Sequence, residues 1–350
     1  MKEEEAKDQP KKNGRGELKK TIGAVFLILL LVLGFAVGTL LVIPAFEKLP
    51  AQSEEEHPES ADWMSALPDN RKLSRIRIPG VHDAATEYVE LAFVTRCQQK
   101  SIGELLQDGF RYLDIRLAVE KKTKGEGIDL HLRFMHGPMK CKTGFWPWES
   151  NLYLENVLED CYAFLDAHPG ETIIFVAKQE VRSESVEEFQ WILKNYVDQH
   201  KDKWLLKDKE LPTLGEARGK LVLFRRYADE AGLGADAGLP LIWSDQGNKD
   251  EVGQNYQTED NGSFTLAVQD RYKYTNEDKW AAFTAKQPKE ADVTVSFLST
   301  AGSWVIGHPY ANAEELNGKL MQLRAKDIPK GWIILDFGNQ DLARKIYETN

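Results

Sequence analysis

The chain has 350 residues, 42% hydrophobic and 29% charged, the composition of a folded protein large enough to bury a full core. Its 55 acidic and 45 basic residues give a net charge of −10, which argues against nucleic acid as a main partner, since a phosphate backbone demands a basic face. The first twenty residues hold seven Lys/Arg and five Asp/Glu (+2), so the remainder stands at −12 and is a poor non-specific binder of anionic headgroups.

In chain order, the first feature is Thr21 to Ile43, 23 residues without a charge and without a polar stripe. At ~1.5 Å per residue such a helix spans a hydrocarbon core of ~30 Å. Lys11, Lys12, Arg15, Lys19 and Lys20 precede it, and Glu54, Glu55 and Glu56 follow. The positive-inside bias therefore predicts a cytoplasmic tail over 1–20, a transmembrane signal anchor over 21–43 at the cell membrane, and everything after Pro44 outside the cytoplasm. A cleaved signal peptide, which would make the protein secreted, is the competing reading. Its apolar stretch is normally about 7–15 residues long and ends in small residues; this run ends Val42-Ile43-Pro44-Ala45-Phe46. Residues 44–70, rich in acid, Pro and Ser, read as a linker.

Beyond residue 70, β-branched runs alternate with helical patterns. The runs predict strands near 73–79, 111–117, 129–135, 172–178, 220–226, 264–270, 293–299 and 331–336. Helical spacing predicts helices near 98–107, 151–167, 184–200, 276–286, 312–325 and 339–347. Eight strands with mostly helical connections imply an α/β fold, a (β/α)8 TIM barrel over 71–350. The connection Ala118 to Ile128 is too short for a helix, so the barrel is expected to be irregular.

The charged residues gather at the predicted strand ends. His82 and Asp83 follow the first strand, Asp114 and Arg116 close the second, and His136 follows the third. Lys178 and Glu180 end the fourth, Arg226 the fifth, Asp270 and Tyr272 the sixth, and Asp336 the eighth. Each alone has a bland explanation, since a His before an Asp is more often a turn than a catalyst. Together they project to the C-terminal mouth, where barrel enzymes keep their sites. Two imidazoles, carboxylates and a guanidinium on one rim can move protons around a phosphate ester. His131, inside a strand, and His168, before Pro169, are expected to be structural.

The order IPGVHDA, YLDIRL, FMHGP, HPGETIIFVAKQE, GKLVLFRRY, LAVQDRYKY and GWIILDFGN resembles the bacterial phosphatidylinositol-specific phospholipase C catalytic domain over residues 73–348. The resemblance implies cleavage of phosphatidylinositol, or its glycosylated derivatives, to diacylglycerol and inositol 1,2-cyclic phosphate. It implies that His82 is the base for the inositol 2-hydroxyl, oriented by Asp336. His136 would be the acid for the leaving oxygen, supported by Asp83, with Arg116 on the phosphoryl oxygens and Asp114 beside it. Lys178, Glu180, Arg226 and Asp270 match inositol-contacting positions, and Tyr272 matches the residue on which the ring stacks. The loop Ala84-Ala85-Thr86-Glu87 departs from the small Ser-Gly-Thr turn usual in the family.

Arg116 and Lys178 stand where a calcium site would need acids, so no metal and no cofactor are expected. The expected partner is a membrane phospholipid, and the expected state a monomer. Trp146, Trp148 and Trp304 fall in predicted rim loops, where an indole suits either a lipid interface or ordinary packing, and Trp243 reads as core. Cys97, Cys141 and Cys161 lack metal-ligand spacing; one disulfide plus a free thiol, or three unpaired thiols, both fit. Two alternatives remain: a glycerophosphodiester phosphodiesterase-like hydrolase, which would need a Glu-rich metal shell, and a catalytically silent, membrane-tethered lipid- or glycan-binding module.

Overall fold

The structure, a computed structural model, describes residues 14–48, 57–125, 127–146, 148–248, 255–302 and 307–350. It divides into two units, residues 1–46 and 47–350. The first is helix α1 (Gly14–Phe46), whose side chains from Ile22 to Leu33 include ten large apolar residues, each about half exposed or more. Among the described residues, no helix is long and apolar enough to cross a membrane, so the span expected over 21–43 is not supported by the structure itself.

The second unit is built on strands β1 (Ile78–Val81), β2 (Tyr112–Lys124), β3 (Gly127–His136), β4 (Met139–Lys140), β5 (Ile173–Gln179) and β6 (Trp204–Leu205). They are followed by β7 (Leu221–Arg225), β8 (Leu239–Pro240), β9 (Gln257–Asp260), β10 (Thr265–Gln269), β11 (Val293–Phe297) and β12 (Trp332–Leu335). Parallel pairing runs β8–β7–β5–β2–β1–β12–β11–β10. Among the described residues no backbone ladder joins β8 to β10, so the barrel has an open seam. β1 and β12 are buried at every position and β5 at all but Lys178, as strands covered on both faces must be.

Two details correct the expected barrel. The stretch 129–135 is not a barrel strand: β3 pairs antiparallel with β2, Leu117 opposite Phe134 through Lys124 opposite Gly127. The physical reason is the short connection, because a parallel return needs a crossover of a dozen residues or more, whereas a tight turn makes a hairpin. The missing eighth barrel strand is β8, two residues that carry no periodicity to read.

The linker expected over 44–70 is also shorter than its composition suggests. Residues 49–56 lie outside the described residues. Pro58–Ala66 forms a 3₁₀ turn that buries Ser60, Ala61, Trp63 and Met64 in the core. Its anchor is Arg111, whose guanidinium donates to the carbonyls of Ala61 (2.7 Å), Leu106 (2.6 Å) and Phe110 (2.8 Å) and to the Glu171 carboxylate (2.8 Å). Glu171 in turn accepts from the Ser65 amide at 3.0 Å. Both charged side chains are fully buried. Glu171→Ala would strand a guanidinium in the interior, and is expected to lower unfolding free energy by about 3–5 kcal/mol in a urea titration. A change within 1 kcal/mol would refute the anchoring role.

The helices are α2 (Ala92–Thr95), α3 (Ile102–Gln107), α4 (Leu154–Ala167), α5 (Val186–Gln199), α6 (Leu214–Ala217), α7 (Asn276–Phe283), α8 (Pro309–Gln322) and α9 (Gln340–Tyr347). Caps fix where the longer ones begin. Ser185 accepts from the Glu188 amide, Thr275 from Asp278 and Asn339 from Leu342. These helices place the C-terminal strand ends at one face, which carries the site.

Candidate active site

His82 continues β1, its amide donating to the Leu335 carbonyl at 2.9 Å. Asp83 follows with φ +44°, a left-handed turn that carries its carboxylate back over the strand ends. Gly80 is required two residues earlier, because a Cβ there would stand 2.6 Å from Ile334 and 2.8 Å from Tyr112. Gln98 locks the turn by donating to the carbonyls of His82 and Leu335 and accepting from the Gly338 amide. The IPGVHD run thus reads as a strand packed too tightly for a side chain, ending in a forced turn.

All the sequence-nominated site residues meet at the mouth. His82 Nδ1 lies 2.8 Å from Asp336 Oδ1, and its Nε2 lies 2.8 Å from Arg116 Nη2. A guanidinium can only donate, so Nε2 carries the lone pair and Nδ1 the proton, which goes to Asp336. Burial lowers the His82 pKa, but the carboxylates of Asp336 and Asp83 outweigh it and leave the imidazole above its ordinary value. His136 is held differently. Its Nδ1 donates to the Thr95 carbonyl at 2.6 Å, and its Nε2 faces Asp83 Oδ2 at 3.5 Å. Both of its nitrogens face oxygen acceptors. The rings are 6.2 Å apart, centre to centre, and nearly perpendicular.

Arg116 holds the centre. Besides His82 it reaches Asp114 (3.0 Å), Asp83 (3.1 Å) and Glu180 (3.5 Å). Burial alone would raise the Asp114 carboxyl, but Arg116 and Arg226 hold it well below the ordinary carboxylate range. Glu180 likewise is pushed up by burial and pulled down, to about 2, by Arg116 and Lys178. Lys178 sits 2.6 Å from Glu180, its pKa lowered by burial and by Arg116.

Arg226 is held loosely, 3.8 Å from Asp114 and 3.9 Å from Asp270. Its guanidinium lies 3.6 Å over the Trp243 ring, and the Trp243 indole donates to Asp270 at 3.1 Å. Trp243 is therefore not the core residue its apolar neighbours suggest; it is half-buried and lines the site. Tyr272, half-buried at the rim, donates to Asp245 at 2.8 Å, and burial together with that carboxylate pushes its hydroxyl up to about 12. These residues line one cavity of about 680 Å³, a size suited to a small ligand or headgroup. Arg226 Nη1 is buried at this wall with no hydrogen-bond partner among the described residues, its nearest carboxylate oxygen being Asp114 Oδ1 at 3.8 Å.

Sequence reading missed Thr95, Gln98, Cys97, Trp243 and Asp245. Thr95 acts through its backbone carbonyl, which leaves no side-chain signal. Cys97 lies 3.9 Å from His136 Nδ1, and burial raises its thiol well above the ordinary value. All three cysteines are buried and unbridged, so a disulfide is not formed. His131 pairs with Glu155 at 3.2 Å and His168 with Asp62 at 3.0 Å, away from the cavity. Trp146 and Trp148 are exposed and stacked at 5.0 Å, while Trp304 lies outside the described residues.

Among the described residues three groups have metal-ligand geometry, with ligand atoms within 4.8 Å of one another: His82–Cys97–Asp336, Asp83–Cys97–His136 and His82–Asp83–Asp114. The donor chemistry is poor for a cation. Arg116 touches both carboxylates and the imidazole of the third group, and the Cys97 thiol of the other two resists the deprotonation that ligation requires.

Residues 82–227 match the family described as phosphatidylinositol-specific phospholipase C, X domain. A 1-phosphatidylinositol phosphodiesterase of Staphylococcus aureus is 27% identical, the alignment covering 95% of this chain and all of that protein. One from Listeria monocytogenes is 26% identical over 82% of this chain and 84% of its own length. A solved structure of the Staphylococcus aureus phosphatidylinositol-specific phospholipase C superposes with a TM-score of 0.64 at 25% identity, covering 83% of this chain and 97% of that one.

Proposed function

The chain belongs to the phosphatidylinositol-specific phospholipase C family, and on that premise we propose that it cleaves phosphatidylinositol, free or glycosylated, by intramolecular attack of the inositol 2-hydroxyl. The observation that carries this reading is the different setting of two imidazoles across one cavity, His82 between Asp336 and Arg116 and His136 between the Thr95 carbonyl and Asp83. His82 Nε2, its lone pair inward, takes the 2-hydroxyl proton while Asp336 stabilises the imidazolium that forms. The 2-oxygen bonds to phosphorus as the diacylglycerol oxygen leaves, and that oxygen takes the proton from His136 Nε2. Arg116 neutralises the charge on the phosphoryl oxygens. Asp83 lies between the rings and the guanidinium and faces His136 Nε2. The products are diacylglycerol and inositol 1,2-cyclic phosphate.

The remaining polar groups suit the sugar. Lys178, Glu180, Arg226 and Asp270 offer donors and acceptors to ring hydroxyls, and the long Arg226 pairs leave room for a hydroxyl to bridge. Tyr272 presents a ring face at the rim. Chemistry at this centre relies on Arg116 and Lys178 in place of a divalent ion, so the protein acts as a metal-independent monomer in this reading. The uncharged run Thr21 to Ile43, with basic residues before it, is the sequence ground for a membrane anchor with the N-terminus cytoplasmic and the catalytic unit outside. The exposed Phe145, Trp146 and Trp148 offer that unit a further lipid contact.

The test is ³¹P NMR of phosphatidylinositol vesicles incubated with the full chain in EDTA. A cyclic phosphodiester signal forming at a rate unchanged by the chelator is expected. Turnover that requires calcium, or that favours glycerophosphodiesters, would replace this reading with the phosphodiesterase alternative. Binding of vesicles without any product would favour the silent lipid-binding module.

A further inference from the structure

At the opposite end of the barrel, where strands begin, a second cavity of about 620 Å³ opens between the segment before β1, the loop before β11 and the turn before β12. Six of its lining residues are cations: Arg71, Arg75, Arg77, Lys286, Lys289 and Lys330. No acid lines it. Among the described residues, none of the six lies within ion-pairing distance of a carboxylate. This is unusual for a chain with ten more acids than bases, whose lysines and arginines elsewhere are mostly paired, as at Lys194, Lys207 and Arg218.

Two of the six are held in place by the fold. Arg77 donates to the carbonyls of Pro329 (3.2 Å) and Thr349 (2.7 Å), and Arg71 to the Arg75 carbonyl (3.3 Å) and the Asn350 side chain (3.3 Å). Carbonyl contacts orient a guanidinium but leave its charge uncompensated. Burial and the Arg71 charge both lower the Arg77 pKa, so the protein tolerates a cation repulsion that an anion would relieve. Arg75, Lys286, Lys289 and Lys330 are exposed around them. A concave surface of one sign focuses the field on whatever enters, and guanidinium forks among ammonium point charges match phosphate oxygens.

We propose that this basal cavity is an oligophosphate-binding site, taking an anion that carries several phosphate groups and lying apart from the catalytic mouth. Its probe is inorganic tripolyphosphate, titrated calorimetrically into the full chain in detergent with saturating myo-inositol to occupy the mouth. Saturable binding is expected, weakening as ionic strength rises from about 0.05 M to about 0.3 M. Replacing the four exposed cations together (Arg75→Gln, Lys286→Gln, Lys289→Gln, Lys330→Gln) is expected to weaken it at least tenfold while leaving phosphatidylinositol turnover unchanged. These residues pack against nothing in the core, and an unchanged melting temperature would confirm that the variant folds. Equal affinity in parent and variant, loss of binding when inositol is added, or no binding by the parent at millimolar probe would each overturn the assignment. Citrate bound as tightly as tripolyphosphate would overturn its phosphate character.

Discussion

His82→Ala is expected to lower the rate of cyclic phosphate formation by about 10³–10⁴-fold, some 4–5.5 kcal/mol of transition-state stabilisation. The alanine removes the sole imidazole whose lone pair is turned inward by an Nδ1–H bond to Asp336. The pH profile gives a signed check. In the proposed role as base His82 acts only when neutral, and its pKa in the folded protein lies above the ordinary ~6.5. The log of kcat/KM should therefore rise with pH and level off only above an inflection higher than that value. Asp336→Asn removes a carboxylate that favours the imidazolium, so the inflection should move to lower pH; movement upward would contradict the assignment. His136→Ala separates acid from base. With a nitrophenyl leaving group, which needs no proton, the His136 variant should recover much of its rate while the His82 variant should not. Equal losses on both substrates would remove His136 from the acid role.

Arg116→Leu is the second large expectation, a loss of about 10²–10³-fold in kcat, comparable to deleting a donor that faces developing oxyanion charge. The same substitution strips Asp83, Asp114 and Glu180 of the cation they share. The Asp114 and Glu180 pKa values are depressed in the fold, with Arg116 the foremost cause of the lowering. A depressed carboxylate contributes stability above its unfolded pKa of about 4, and loses that contribution as pH falls through the folded value. The variant should consequently show its largest melting-temperature deficit near neutral pH and a smaller one near pH 4, where the stranded carboxyls can protonate. A deficit independent of pH would mean that Arg116 acts by packing alone. Arg116→Lys should recover little, since one ammonium cannot reach His82, Asp83 and Asp114 together.

The barrel was legible because its strands are short apolar runs between capped helices, and because the short Ala118–Ile128 connection announces an irregularity. That irregularity turned out to be the hairpin that delivers His136, so the second imidazole reaches the mouth along an antiparallel strand and not at the end of a barrel strand. The acidic stretch after residue 56 looked like tether because Pro, Ser and Glu dominate it. Its Ala61 is held by Arg111, fifty residues on, and its Trp63 by Gly109 and Tyr347, partners that lie far along the chain. Trp243 resembled core for the same reason in reverse: it follows the apolar pair Leu241-Ile242, and nothing local reveals Arg226 over its ring.

By itself, the sequence determined the order of elements, the glycine-tight strand before His82, and which charged side chains end strands, because each depends on backbone sterics and near neighbours along the chain. Tertiary structure alone decided how those charges are used. Whether an imidazole meets a guanidinium or a carbonyl, and whether six basal cations share one unneutralised cavity, depends on residues far apart in sequence. Electrostatic energies inside a fold follow distance and burial, and neither can be read from spacing.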